Sequence, residues 1–282
     1  MEWSCIGHEQ EKAYFAALLD DGRVGHAYLF TGVEGIGKRM VSEDVARAMV
    51  GSGPTFDLLR LAPERDEDGK LHDIPIDAVR AMKSWIVLRP MGEHKVVLID
   101  DADRLGDEAA NTLLKVLEEP PAYAHFLLVS SRSGAVLPTI SSRCERVEFR
   151  PVSDAELRTV IDPYTLDADD RALVATIAAG RPGVAVRLVT EKKLVTAATA
   201  IASLEKALTG GVTEQFAIAK TVAVSPDAED IVSWWLGFVH ARLATKPNLA
   251  PVAKGLLELS EAFTEIGINR RLALERFFLE LD

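Results

Sequence analysis

The chain has 282 residues, 48% of them hydrophobic and 27% charged, with a formal net charge of -11. That length accommodates two or three compact domains of ordinary globular composition, and the acid excess argues against a surface that grips nucleic acid throughout, leaving DNA contact to a local patch or a partner. No apolar run approaches the ~18 residues of a membrane span, Glu2 and His8 stand where a secretory leader would turn basic and then apolar, and the two cysteines, Cys5 and Cys144, exclude a cysteine-rich zinc site and speak against a disulfide framework; the expected location is cytoplasmic.

In chain order, Glu9 to Leu19 has helical spacing, and Ala27-Tyr28-Leu29-Phe30 is a short apolar run with strand character. Gly32-Val33-Glu34-Gly35-Ile36-Gly37-Lys38 follows at once, and Met40 to Val50 reads as a helix. Ile76 to Leu88, opened by Pro75, predicts another helix. Lys95 to Ile99 is a β-branched run ending in acids, the pattern of a buried parallel strand. Glu108 to Leu117 predicts a helix that stops before Pro120-Pro121. Phe126 to Val129 and Val147 to Phe149 are the last strand signals. Strands alternating with helices imply an α/β domain with a parallel sheet.

Beyond Pro151 only helical patterns remain. Ser153 followed by Glu156 has the form of a capping box, and Gly180-Arg181-Pro182-Gly183 separates two further helices. Leu194 to Leu204 reads as a buried helix. Breaks are expected near Gly210-Gly211, Pro226 and Pro247. Ile231, Trp234, Trp235, Phe238 and Val239 recur at helical spacing and form one wide apolar face, read first as core. The expected layout is an α/β domain over residues 1–150, a helical lid over 151–192 and a helical collar domain over 193–282.

Gly32 to Lys38 has the G-x-x-x-x-G-K form of a phosphate-binding loop. Gly32, Gly35 and Gly37 let backbone N–H groups turn toward phosphate oxygens, and Lys38 reaches the terminal phosphates from the start of the next helix. The strand before it and the helix after it are the context the motif requires. The following position, which holds a magnesium-binding Ser or Thr in a working loop, is Arg39. Asp100 and Asp101 follow the Lys95–Ile99 run where a metal-holding acid and a water-orienting Glu would stand, so Asp101 is one methylene short. Asp103 is read as a cap for the next helix.

Four stretches, in order, carry a family resemblance: Gly25-His26-Ala27-Tyr28-Leu29-Phe30-Thr31-Gly32, the run from Ala109 to Pro121, Thr139-Ile140-Ser141-Ser142-Arg143-Cys144, and Asn269-Arg270-Arg271-Leu272-Ala273-Leu274-Glu275. Together they resemble the AAA+ clamp-loader subunits of bacterial DNA polymerase III, over nearly the whole chain. The resemblance implies a RecA-like P-loop domain followed by a helical lid and an all-α collar. It also implies that Arg143 of the Ser-Arg-Cys motif is an arginine finger, reaching ATP on a neighbouring subunit; Arg146, three residues on, reads as an ordinary surface charge. Arginine suits that role because its forked, permanent charge matches phosphate oxygens.

Arg39, Asp101 and Gly183, the last replacing a nucleotide-sensing lid arginine, each weaken the chain's own ATP site. Arg143, which serves a neighbour, is intact. This asymmetry is similar to the stationary delta-prime branch of the family rather than the gamma/tau motors. The implied role is a non-motor member of a heteropentamer with gamma/tau and delta subunits, which places the sliding clamp on primed DNA. The alternative is an ATP-hydrolysing, gamma/tau-like motor. No cofactor is expected to be required: the loop leaves ATP or ADP binding open without turnover. The cysteine-rich zinc module of many relatives has no counterpart at Val50-Gly51-Ser52-Gly53-Pro54, and the six histidines show no ligand spacing, so zinc is not expected.

Overall fold

A computed structural model of the chain describes residues 3–51, 55–64, 71–263 and 267–281. Most of the Val50–Pro54 segment, on which the missing zinc module was read, therefore lies outside the described residues. The chain divides into two compact units, Met1–Val152 and Ser153–Asp282.

The first unit is an α/β/α sandwich. Its sheet holds β1 (Ala27–Thr31), β2 (Leu58–Leu61), β3 (Lys95–Ile99), β4 (Ala124–Ser130) and β5 (Glu145–Glu148), in the order β2-β3-β4-β1-β5, with every pairing parallel. All residues of β1, β3 and β4 are buried, which accounts for their continuous apolar runs: a parallel sheet is covered on both faces. Alternate side chains point to opposite layers. Leu29, Val97, Ile99, Phe126 and Leu128 share a core with α3 (Ile76–Ile86) and α4 (Asp107–Glu118), through Val79, Met82, Leu113 and Leu117. Tyr28, Phe30, Val96, Leu98 and Leu127 share the other with Phe15 of α1 (Glu9–Asp20) and Val41 and Val45 of α2 (Lys38–Val50). Each fully buried Leu, Val or Phe contributes about 1.5–3 kcal/mol, so these two layers hold the sheet.

Helix boundaries follow local chemistry. Asp107 and Glu108 place negative charge in the first turn of α4, favourable against the helix dipole, and the helix ends two residues before Pro120. One strand is unanticipated and one expectation is corrected. β2 has no counterpart in the predicted elements. Asp103 caps nothing: α4 starts at Asp107 with Gly106 as its N-cap and no side-chain cap, and Asp103 instead accepts hydrogen bonds from Ser130 Oγ at 2.7 Å and Arg132 Nε at 2.9 Å. Asp103 thus ties the turn after β3 to the end of β4.

After the short helix α5 (Pro138–Ser141), the second unit is all helical: α6 (Asp154–Ile161), α7 (Ala168–Ala178), α8 (Pro182–Thr190), α9 (Leu194–Thr209), α10 (Val212–Ala223), α11 (Ala228–Arg242), α12 (Ala250–Phe263) and α13 (Arg270–Leu279). The predicted capping box at Ser153 is complete: its hydroxyl accepts from Glu156 N, and the Glu156 carboxylate accepts from Ser153 N at 2.8 Å. The breaks at Gly210-Gly211, Pro226 and Pro247 fall between helices. All five residues of the α11 apolar face are buried. Trp235, fully buried, donates from its indole Nε1 to Ala200 O at 2.6 Å and so joins α11 to α9. Gly237 lies where a Cβ would strike the Ile177 carbonyl, which lets α11 run close against α7. Of the Leu194–Leu204 stretch, Ala197, Ala200, Ile201 and Leu204 are buried, but Val195 is exposed.

Candidate functional site

The candidate site lies where the carboxyl ends of β1, β3 and β4 meet α2, the usual ligand edge of a parallel sheet. The loop between β1 and α2 is built on left-handed glycines: Gly32 has φ 144°, Gly35 77° and Gly37 112°. A Cβ on Gly32 would come within 2.5 Å of Phe149 O, and one on Gly37 within 2.5 Å of Cys5 Sγ. The residues before α1 brace the loop from outside. His8 Nε2 bonds Ile36 O at 2.8 Å, and Ser4 N donates to Asp44 of α2 at 2.8 Å.

Lys38 is buried and turned into its own loop. Its Nζ donates to Gly32 O at 2.7 Å, Val33 O at 2.8 Å and Ser131 Oγ, beyond β4, at 3.0 Å. Burial lowers its pKa to about 8, against the pull of Glu34, Asp101, Asp100 and Asp103. Ser131 carried no recognisable sequence signal, because only the parallel register of β4 beside β1 brings it here.

Arg39 decides the chemistry of the site. Its Nη1 donates to Asp100 Oδ2 at 3.0 Å and its Nε to Glu43 Oε1 at 3.1 Å. A permanent cation thus bridges the first turn of α2 and the acid after β3. Burial raises the Asp100 pKa, and Arg39 opposes that rise. Burial alone would lower the Arg39 pKa, but the carboxylates of Glu43 and Asp100 hold it above its ordinary value. The donor set does not fit a divalent cation, because Asp100 is already committed to a guanidinium and the neighbouring hydroxyl is missing. Asp101 stands beside it in a left-handed conformation (φ 47°). Burial first, and then the negative charges of Asp100 and Asp103, push its pKa up to about 6.

Arg143 occupies a different place, on the turn after α5. Ile140, buried in the core shared with Leu113, and the partly buried Cys144 anchor that turn on either side. Burial pushes the Cys144 thiol up to about 11, so this cysteine is a packed, unreactive anchor. Between the anchors, Arg143 Nη1 donates to Thr139 O at 3.0 Å and Nη2 to Glu118 Oε1 at 2.8 Å. Glu118 is the last residue of α4, and no local pattern in the Ala109–Pro121 run points to Arg143. Arg146, on the edge strand β5, is exposed, and its Nε donates to Thr31 Oγ1 at 3.3 Å. In the second unit, Arg181 donates to Ile177 O, Ser233 Oγ and Ser233 O, joining α7 to α11; Gly183 sits in the first turn of α8.

The structure therefore brings Gly32, Gly35, Gly37, Lys38, Asp100 and Asp101 to one edge of the sheet and sets Arg143 on a turn of its own. It also pairs two histidines that sequence spacing keeps apart: His125 Nε2 and His94 Nδ1 lie 3.0 Å from each other. Among the described residues no group of three or more His, Cys, Asp or Glu is placed to hold a metal ion, and no helix is long and apolar enough to cross a membrane.

Comparison with known proteins places the chain among relatives. Residues 50–153 match the family model described as "DNA polymerase III, delta subunit". The DNA polymerase III subunit gamma/tau of Mycobacterium tuberculosis is 30% identical over 173 residues, covering 55% of this chain and 30% of that protein. The subunit delta' of Pseudomonas aeruginosa is 33% identical over 154 residues, covering 48% of this chain and 46% of that protein. The chain thus spans less than half the length of either relative. A gamma subunit-related protein of Thermotoga maritima shares the fold at a TM-score of 0.52 and 19% identity, over 94% of this chain and 97% of that one. A Thermotoga maritima RuvB variant does so at 0.52 and 18%, over 80% of this chain and 85% of that one.

Proposed function

We propose that this chain, a member of the bacterial DNA polymerase III clamp-loader family, is a delta-prime-type subunit: a stationary member that completes a neighbour's ATP site rather than running its own. One observation carries this reading. Arg39 fixes its guanidinium on Asp100 at 3.0 Å, where a working loop needs a hydroxyl and a carboxylate facing a divalent cation. The glycine loop retains the shape to cradle phosphate through backbone N–H groups, so ATP or ADP is able to bind there without being turned over. Arg143 is read as the finger that stabilises charge on ATP of an adjacent gamma/tau subunit. The helical second unit, divided into lid and collar, serves assembly with gamma/tau and delta subunits. Through that complex the chain takes part in placing the sliding clamp on primed DNA. No zinc is required in this role.

The purified chain is expected to hydrolyse ATP negligibly, measured as phosphate release alone and with clamp and primed DNA. Turnover near 1 s⁻¹ or faster by the isolated chain, within the ordinary enzyme range, would replace this reading with that of a gamma/tau-like motor.

A further inference from the structure

We infer that Glu118 is a positioning residue for Arg143, and that it sets the direction in which the guanidinium meets an anion brought up by a neighbouring subunit. The inference rests on the trans-acting role proposed for Arg143.

Arginine is a long side chain, and its charge helps a reaction only if the fork is already aimed when the phosphoryl charge develops. The backbone at Arg143 is fixed: its N–H donates to Ile140 O at 3.0 Å, and Ile140 is buried in the core. The side chain then needs its own supports. Thr139 O takes one guanidinium nitrogen and Glu118 the other, from the end of a different helix. These contacts commit two of the five N–H donors of the fork and orient the rest. Glu118 is well suited to the task. It ends α4, whose Leu113 and Leu117 are buried under the sheet, so its Cα is as rigid as the core. Its side chain is 46% exposed and that of Arg143 36%. Water therefore screens the pair, and the carboxylate steadies the guanidinium without cancelling its attraction for a phosphate.

An exposed pair of this kind is expected to contribute about two- to fivefold in the rate that depends on Arg143. The test uses the assembled complex with its ATP-hydrolysing sister subunits, clamp and primed DNA, taking Arg143→Ala as the floor. Glu118→Ala is expected to lower the Arg143-dependent turnover about two- to fivefold with the KM for ATP unchanged, because the finger acts on the transition state. Glu118→Gln, whose amide oxygen still accepts from Nη2, is expected to recover at least half of that loss. Glu118→Lys, which repels the guanidinium, is expected to fall to the floor. On an Arg143→Ala background, Glu118→Ala is expected to change nothing further, a coupling that a purely structural role would not produce. Wild-type turnover in Glu118→Ala, a rise above it, or a further loss on the Arg143→Ala background would each overturn the inference. If Arg143→Ala itself left turnover at the wild-type level, the proposed function would fail first, and that outcome is read from the single variant alone.

Discussion

Two arginines, each hydrogen-bonded to a carboxylate from a distant part of the chain, sit in the first unit under different constraints. Arg39 bridges Asp100 and Glu43, whose side chains are only 18% and 19% exposed. Arg143 is held by Glu118, which is 46% exposed. Drawing Arg39 away would strand a poorly solvated Asp100, already resisting ionisation through burial. Sharing Arg143 with an incoming phosphate leaves Glu118 in water, where an unpaired carboxylate costs little. One pair chemistry therefore gives two behaviours. On the proposed reading, Arg39 stays with the chain's own site and Arg143 is the one to be shared with a neighbour's.

The largest expected effect falls on Arg143. Arg143→Ala is expected to leave folding and assembly intact, since a partly exposed arginine contributes little to the core. Clamp- and DNA-stimulated ATPase of the assembled complex is expected to drop, because one site loses a charge stabiliser. Such fingers contribute ~10³–10⁵ in rate where they act, although the bulk loss is smaller if the other sites fire independently. A steady-state ATPase assay on complexes rebuilt with the variant makes the measurement. Undiminished activity would remove the contrast between the two arginines.

Next is the loop itself, which keeps its left-handed glycine geometry beside Arg39. Gly32→Ala puts a Cβ at φ 144°, aimed at Phe149 O from 2.5 Å. Backbone strain of this kind costs about 1–3 kcal/mol, and urea unfolding is expected to show a lowered midpoint with an unchanged slope. A loss below about 0.5 kcal/mol, the range of ordinary surface changes, would mean that the loop relaxes freely and braces nothing.

How much of this was legible beforehand differs between the two regions for a physical reason. The glycine loop, Lys38 and the Arg39 substitution lie in a single local run, and their context of strand and helix is set by nearest neighbours; that part was read from the sequence. The three stretches around β1, α4 and Arg143 were legible through their resemblance to a family. What makes Arg39 decisive, however, is Asp100, 61 residues away, and what holds Arg143 is Glu118, 25 residues away. Neither pairing leaves a periodic trace. β2 escaped because Leu58-Leu59-Arg60-Leu61 has no β-branched or aromatic residue and a charge in its middle, so only its pairing with β3 identifies it. Asp103 escapes the local rule that an acid before a helix caps it, because Ser130 at the end of β4 and Arg132 just beyond it take its oxygens.

A smaller effect tests how strongly the inward region is desolvated. The Asp101 pKa is raised to about 6 in the fold, against 3.8 for the free group. The folded chain therefore holds this proton more tightly than the unfolded chain. Stability is lost as pH rises from about 4 to about 6, and the penalty is complete above that window. Asp101→Asn stays neutral throughout, and asparagine tolerates the left-handed φ. The variant is expected to match wild type at pH 4 and to exceed it at pH 7 by about 1 kcal/mol, because water still reaches the group. Urea titrations at both pH values decide it; a variant equally or more destabilised at pH 7 would show that the carboxylate is satisfied in ways its burial and acidic neighbours do not reflect.

The smallest expected effect is also the sharpest discriminator. In a working loop the lysine reaches the terminal phosphates, and its loss stops turnover. Here Lys38 spends its hydrogen bonds on Gly32 O, Val33 O and Ser131 Oγ. Burial holds its pKa down near 8, so the charge is poorly solvated where it stands. Lys38→Ala removes three hydrogen bonds together with a desolvated ammonium, two contributions to stability of opposite sign. If the chain is stationary, no catalytic step depends on that ammonium. ATPase of the complex carrying Lys38→Ala is then expected to stay within about twofold of wild type, a span of roughly 0.4 kcal/mol in barrier, in the same assay that registers the loss with Arg143→Ala. The pair of variants separates the two regions in one experiment. Should Lys38→Ala abolish activity while Arg143→Ala spares it, the glycine-loop site would be the motor and Arg143 an ordinary surface charge.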